Sequence, residues 1–354
     1  MIYFMKKESI KNLLVLILVG IIVISCGQKN ANTYFDVSKI TETLPAQLVY
    51  QFEDKYVSDI DIVDSFMVGI QRHSDTSLFV LNLNINKIVS GLGVAGGGPN
   101  DVISPDYIQS VQKDSTGSLY FDDSNSGKRL KLNMRNGSSN FVFEKLVDFP
   151  ENDLQGSNLC LSSRFIAGRK IGQKVESMFF IYDMETDSIK DISFFPVIED
   201  PLNDRNYSLA TRLIMNDKKN TIVAGMYFLD MVQLYDLTGK MKKVIVFSED
   251  FIPKIDKKNQ TFDLSKSYSG IACMYATKEF FYVKRVHYIK EKGESVILKI
   301  NWEGLVVQAF RVQEELIGSF CVDEKSQKLY AIQHKTENLK EYYNIVYYDL
   351  KGNI

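Results

Sequence analysis

Hydrophobic and polar positions alternate with period two through much of this chain. Arg129–Met134 sets Leu130, Leu132 and Met134 on one face and Arg129, Lys131 and Asn133 on the other, the signature of a half-buried strand. Upstream, Tyr107–Gln112 and Ser118–Phe121 are apolar and rich in β-formers. Lys113–Gly117 and Asp122–Gly127 supply turn residues between these runs. Three strands so closely joined predict an antiparallel meander.

The expected second strand of that unit recurs along the chain. It reads Leu78–Leu81, Leu119–Asp122, Phe165–Gly168, Ile222–Gly225, Phe280–Val283 and Leu329–Ile332, at intervals of 41 to 58 residues. Such spacing fits four-stranded propeller blades with loops of varied length. Third strands are expected at Arg129–Met134, Met178–Met184, Val232–Leu237, Val296–Trp302 and Ile345–Leu350. Four of them run into similar turns: Asn133 to Gly137, Asp236 to Gly239, Asn301 to Gly304 and Asp349 to Gly352. Asx side chains stabilise such turns and glycine takes the positive φ.

The expected fold class is therefore all-β, a six-bladed β-propeller of mostly four-stranded antiparallel blades over residues 45–354. The sixth unit ends after its third strand. Gln47–Phe52, with Leu48, Tyr50 and Phe52 alternating, is expected to add the outer strand and close the ring, because an open edge invites aggregation.

Two stretches carry a family resemblance. Leu119–Leu132, reading L-Y-F-D-D-S-N-S-G-K-R-L-K-L, resembles the NHL-type propeller repeat, in which a strand ends in Asp, turns through Asn and restarts at Arg plus an apolar residue. Gly91–Pro105 resembles the Gly-x-Gly-Pro-Gly-Glu…Pro crossing of TolB-like six-bladed propeller lipoproteins. Asn100-Asp101 stands where that pattern has Gly-Glu, and extra residues precede it. The resemblance implies a six-bladed propeller lipoprotein.

The first 26 residues give an address. Lys6, Lys7 and Lys11 form a positive n-region, and Leu13–Ile24 is apolar apart from Gly20, too short for a comfortable membrane span. Val23-Ile24-Ser25-Cys26 resembles a bacterial lipobox, with Cys26 taking the lipid. Residues 1–26 are thus expected to be a lipoprotein signal peptide and 27–44 a polar tether. Two or three acyl chains would hold the protein at the membrane. The expected location is the cell envelope, at the outer membrane, with periplasmic and surface faces both open. An uncleaved single-span anchor is the other possibility.

Composition narrows the field further. Seven prolines and 24% charged residues argue against disorder, and no linker divides the 328 residues after Cys26, so one domain is expected. A net charge of −2 gives no reason to expect nucleic acid.

Candidate chemistry is sparse. Cys273 and Cys321 fall in first strands, at a register that other units fill with Ile70, Val111 and Ile214. They read, with Cys160, as small buried hydrophobes; a Cys273–Cys321 disulfide is the alternative. His73, His287 and His334 share no motif, and nothing has metal-ligand spacing. Gly91–Pro99 lacks the Gly-Lys-Ser/Thr ending of a phosphate loop and reads as a crossing between blades one and two, with Asp101 capping it. Asp122–Gly127 loosely matches a calcium loop but has Asn133 where the twelfth-position Glu belongs. No Gly-x-Ser-x-Gly or His-Glu-x-x-His motif is present.

The longer insertions, Phe195–Tyr207 and Glu249–Tyr268, are where binding function is expected on a rigid scaffold. Tyr207, Phe251, Phe262 and Tyr268 are the candidate ligand- or partner-binding residues; packing back onto the blades is the competing reading. The expected function is a lipid-anchored envelope propeller that binds a protein partner or an exported ligand such as a glycan, with no cofactor and no catalytic residues. The alternative is a metal-dependent lactonase-like hydrolase or cyclase with its site in the central channel.

Overall fold

The computed structural model describes residues 32–351, apart from 73, 95–97, 99–100, 112–116, 124, 126, 135–141, 146–155, 171–176, 197, 199–201, 203–207, 265–266, 290–291 and 313–315. Residues 1–31, with Cys26 and the expected signal peptide, and Tyr207, His73, Gly137 and Gly352 lie outside the described residues.

Six antiparallel sheets follow one another along the chain. Their innermost strands are Tyr56–Val63, Asp106–Ile108, Gly156–Leu161, Thr211–Asn216, Ser267–Ala276 and Leu316–Asp323 for blades one to six. Each inner strand neighbours the inner part of the next blade, and that of blade six lies beside that of blade one, so the ring is closed. The apolar clusters sit between blades rather than within them. Val68, Ile70, Val80, Leu119 and Phe121 join blades one and two; Ile214, Val223, Met274 and Val283 join blades four and five. A middle strand packs on both faces, which is why Thr221–Met226 and Met231–Tyr235 are buried throughout and show no alternation. The third strand of blade two, Lys128–Asn133, does alternate and buries Leu130 and Leu132.

Gln47–Glu53 pairs antiparallel with Lys340–Asp349, the third strand of blade six, and completes that blade. This is the closure expected from the alternation of Leu48, Tyr50 and Phe52. Phe52 is 3% exposed and meets Phe79 of blade one at 4.8 Å between ring centroids. The outer strand of blade six thus comes from the N-terminal side of the fold and its three inner strands from the C-terminal side.

Two expectations change. The stretch 27–44 does not stay a free tether: from Asn32 onward it is laid on the propeller's rim. Asn32–Tyr34 adds in parallel to the outer edge of blade four and Thr43–Leu44 to that of blade five. Their backbone groups find ladder partners there, and Ile40 is buried. Residues 32–53 therefore form a belt across blades four, five and six. In blade one, Leu78–Leu81 belongs to the third strand, Thr76–Asn82, and the second strand is Phe66–Arg72. Ile70 accordingly sits in a second strand, not the first. The slip arose because both strands carry the same buried apolar run. In blades two to six the expected second and third strands fall in their observed places.

The Asx-Gly turns behave as read. Asp236 Oδ1 accepts from the Thr238 and Lys240 amides, and Gly239 has φ +77°. Asn301 Oδ1 accepts from the Leu305 amide beside Gly304, also at φ +77°. Gly91 and Gly93 lie inside the outer strand of blade one, Lys87–Val94, rather than in the crossing that follows. Asp101 does cap that crossing, accepting from the Gly98 amide at 2.7 Å.

Closure through Phe52 makes a sharp prediction. Phe52→Ala is expected to destabilise the protein by about 3–5 kcal/mol. Leu48→Ala on the same strand, at a position 60% exposed, should change stability by no more than about 0.5 kcal/mol. Urea unfolding of both variants checks it.

Candidate site at the channel mouth

Inner strands with regular pleats would bury alternate residues between blades. Four of the six depart from that: the ladder shifts register at Val57/Asp59, Ser157/Cys160, Ile271/Cys273 and Ile317/Phe320. A bulge re-aims the side chains beside it. Here the unpaired positions include Ser58, next to Asp59, as well as Asn158 and Ser319. Asn158 holds φ +53°, a conformation asparagine tolerates better than most residues.

Asp59 of blade one, Asp106 of blade two and Arg212 of blade four act on one another electrostatically. Blades one and four are opposite in a six-membered ring, so these charges meet at the axis. Burial raises the Asp59 carboxyl to about 6, against the Ser319 hydroxyl and the Arg212 charge, which lower it. Ser319 Oγ also accepts from the Ile60 amide at 2.9 Å. Burial raises Asp106 too, opposed by Arg72 and Arg212.

The neighbouring acids are already matched. Asp61 accepts from the Tyr275 hydroxyl and the Ile62 amide, each at 2.8 Å. Asp122 pairs with Arg129 at 2.9 Å, and the buried Asp123 accepts from the Ile103 and Ser104 amides. Those two contacts show that the calcium-like stretch begins as a structural turn. By contrast, no hydrogen bond or ion pair joins Arg212 or Asp106 to any described residue, and Arg72 lies only over the Tyr56 ring, at 6.0 Å. Asp106, Arg72 and Arg212 thus have no ion-pair partner among the described residues, while Asp59 is held by the Ser319 hydroxyl.

A cavity of about 280 Å³ opens beside Arg212, lined by Asn158, Ala210, Thr211, Tyr227 and Phe228. Tyr227 and Phe228 belong to a tight loop between the second and third strands of blade four. Asp230, at the end of that loop, is 1% exposed and takes two bonds from Arg285, both 2.7 Å. Its amide donates to Phe251 O and its carbonyl accepts from the Phe247 amide, each at 3.0 Å. Arg285 also donates to Ser269 Oγ, which bonds His287 Nδ1 at 2.6 Å. Burial, and then the charge of Arg285, lowers the His287 pKa. Gly270 lets the loop approach: a Cβ there would lie 1.8 Å from Tyr227 O.

The sequence-selected aromatics converge on this loop from behind. Phe262 is buried and lies 6.3 Å from Phe228. Tyr268, half-buried, lies 5.7 Å from Phe228, and Phe251 packs against the same cluster. They support the cavity wall, while Tyr227 and Phe228 form it. The residues at the axis were missed. Their signal was present: a charged residue inside an otherwise apolar first strand, as in T-R-L-I-M-N at Arg212 and Y-V-S-D-I-D-I-V at Asp59.

The opposite mouth holds a larger cavity, about 630 Å³, between blades five, six and one. Its charges are largely mutually satisfied: Lys325 pairs with Asp64 at 3.7 Å, Glu324 accepts from the Tyr282 hydroxyl, and Lys328 sits 4.1 Å over Tyr347. Cys160, Cys273 and Cys321 are buried free thiols, as small hydrophobes. Burial pushes the Cys160 and Cys273 thiols up. Among the described residues, no three His, Cys, Asp or Glu side chains assemble to hold a metal ion.

With this geometry in view, known proteins add the fold. No family model matches the chain, and no curated relative matches it. Among solved structures, it is similar to a member of the DUF4221 family from Bacteroides vulgatus, with a TM-score of 0.53 and 10% identity, over 86% of this chain and 98% of that one. A weaker likeness, TM-score 0.41 and 11% identity, is to the β-propeller domain of Cps50 (Swd1) from Myceliophteria thermophila, over 85% and 99% of the two chains. The first likeness supports the propeller fold and nothing finer.

The raised Asp59 carboxyl yields a stability prediction with a definite sign. Its folded pKa, about 6, exceeds the unfolded 3.8. Its contribution is therefore fully present below 3.8 and lost as pH rises through 6. Asp59→Asn removes that penalty and is expected to stabilise the protein by about 1–2 kcal/mol near pH 8, with no gain near pH 4. Urea unfolding at the two pH values checks it.

Proposed function

We propose that this chain is a lipid-anchored envelope propeller of the TolB-like kind, binding its ligand at the channel mouth over blades three to five. The observation that carries the binding half is the cavity walled by Tyr227 and Phe228, with the Arg212 guanidinium, which has no ion-pair partner among the described residues, in its lining. Polar groups left without partners at the end of a rigid scaffold are positioned for a ligand's groups. The ligand is a partner protein or an exported molecule such as a glycan.

The anchor half rests on Val23-Ile24-Ser25-Cys26 and the positive n-region before it. The folded belt begins at Asn32, and the six residues from Cys26 reach at most about 20 Å. An acylated Cys26 would hold the rim of blade four next to the bilayer. Both channel mouths would then face the aqueous phase rather than the lipid. The competing reading, a hydrolase with its metal on the axis, needs acids from several blades. Asp61, Asp122 and Asp123 are already matched by donors of the fold itself, which favours binding.

The anchor is tested by metabolic labelling with a radioactive fatty acid. The wild-type protein is expected to carry label and to fractionate with membranes, and Cys26→Ser to lose both. Label retained by Cys26→Ser would contradict the anchor.

A further inference from the structure

Resting on the proposed acyl anchor at Cys26, we infer that one corner of the propeller's rim, where blades four and five meet, rests on the bilayer surface through Tyr34, Leu305 and Val307. These side chains are 51%, 61% and 46% exposed. The direction of the belt sets the place. Asn32–Tyr34 runs parallel to Met241–Val246, with Asn32 opposite Val244 and Tyr34 opposite Val246. The belt therefore enters from the end of that strand that follows the Asp236–Lys240 turn. Leu305 stands at the same end: Lys243 Nζ donates to Gly304 O at 2.8 Å, and Leu305 is next in the chain. Cys26 lies within about 20 Å of Asn32, so its acyl chains would enter the membrane beside this corner.

The corner is apolar and open for local reasons. The ladder of blade five shifts register at Lys299/Ile300, which leaves Val307 unpaired between Val306 and Gln308. A bulge of this kind re-aims the side chain beside it. The belt pairs only with Arg311 and Val312 of that outer strand, so Val307 stays uncovered. An open groove of about 570 Å³ joins Tyr34 to Ala309, two residues beyond Val307. Tyr34, Val307 and Leu305 thus share one stretch of rim. Around it Lys240, Lys242 and Lys243 outnumber Asp236 and Glu303.

A tyrosine and lysines flanking aliphatic side chains suit the headgroup level of a membrane. Lipid is the occupant because the tether keeps the bilayer within reach of this corner at a high effective concentration. A patch of three side chains would not hold the protein alone. Beside an acyl anchor it supplies the second contact and fixes the orientation. The loop of Tyr227 and Phe228 lies at the other end of the blade-four strands from the Asp236–Lys240 turn, so this orientation leaves the ligand-binding mouth open to the aqueous phase.

The test uses full-length protein purified with its acyl chains and reconstituted into vesicles of phosphatidylethanolamine and phosphatidylglycerol. Leu305→Cys and Ile85→Cys are labelled with a thiol-reactive NBD dye. Ile85, 56% exposed, belongs to blade one, across the ring from blade four. The wild-type protein is the blank, because Cys160, Cys273 and Cys321 are buried and an acylated Cys26 has no free thiol. All forms are expected to float with the vesicles. Lipids with a nitroxide near the headgroup should quench the dye at Leu305→Cys at least about threefold more than at Ile85→Cys. With the dye at Tyr34→Cys, Leu305→Ser and Val307→Ser together should cut quenching by about half or more while flotation and the unfolding transition stay unchanged. Equal quenching at Leu305→Cys and Ile85→Cys on floating protein would overturn the docking and leave the anchor standing. So would quenching at Tyr34→Cys that the two serines do not change. Wild-type protein that takes up dye at Cys26 and fails to float would overturn the anchor, and the docking with it.

Discussion

Ring closure by the pairing of Gln47–Glu53 with Lys340–Asp349 is the constraint on which the rest of this structure depends. A propeller blade buries its faces against its neighbours, so a gap in the ring would expose the apolar faces of the two blades beside it. The five apolar clusters follow the blade boundaries, and the largest joins blades five, six and one across the seam. Phe52 stands at that seam, between Phe79 and Tyr50. The cost is entropic: strands some 290 residues apart in sequence must meet before either gains its partner, and such non-local pairing is slow to form. The belt over blades four and five adds parallel pairs along the way and covers two outer edges that would otherwise be open.

Closure also explains why charges from opposite blades interact at all. Asp59 and Arg212 belong to blades one and four, and only a common axis brings them into range. The inner-strand bulges, one in each of four blades, break the pleat at that level. Their positions, together with the left-handed Asn158 and the raised Asp59 carboxyl, are local departures from the most stable arrangement. Such departures persist where the surrounding structure over-determines them, and they gather at functional sites.

Much of the fold was legible in the sequence because blades repeat. The apolar runs, the Asx-Gly turns at Asp236 and Asn301, and the alternation of Leu48, Tyr50 and Phe52 each reflect local physics that survives in the folded chain. The slip in blade one shows the limit. Met67–Ile70 and Leu78–Leu81 are both buried on two faces, and periodicity cannot rank two such strands. The rim belt was hidden for another reason: Asn32–Tyr34 and Thr43–Leu44 are too short to show a pattern, and their pairing is set by edges that only the assembled ring presents. Of the site, the aromatic support was legible as long insertions rich in Phe and Tyr. The axial charges were not, since Asp59, Asp106 and Arg212 lie far apart in sequence and converge only through closure.

Hydrogen exchange of the native protein tests that closure most directly. If the N-terminal strand seals the ring, the amides of Gln47–Glu53 and of Lys340–Asp349 that pair with each other will be protected and will exchange together, at the rate of the inner strands of blades one and six. Rapid exchange of Gln47–Glu53 while those inner strands stay protected would show a ring that stands without its seal, and would contradict the architecture described.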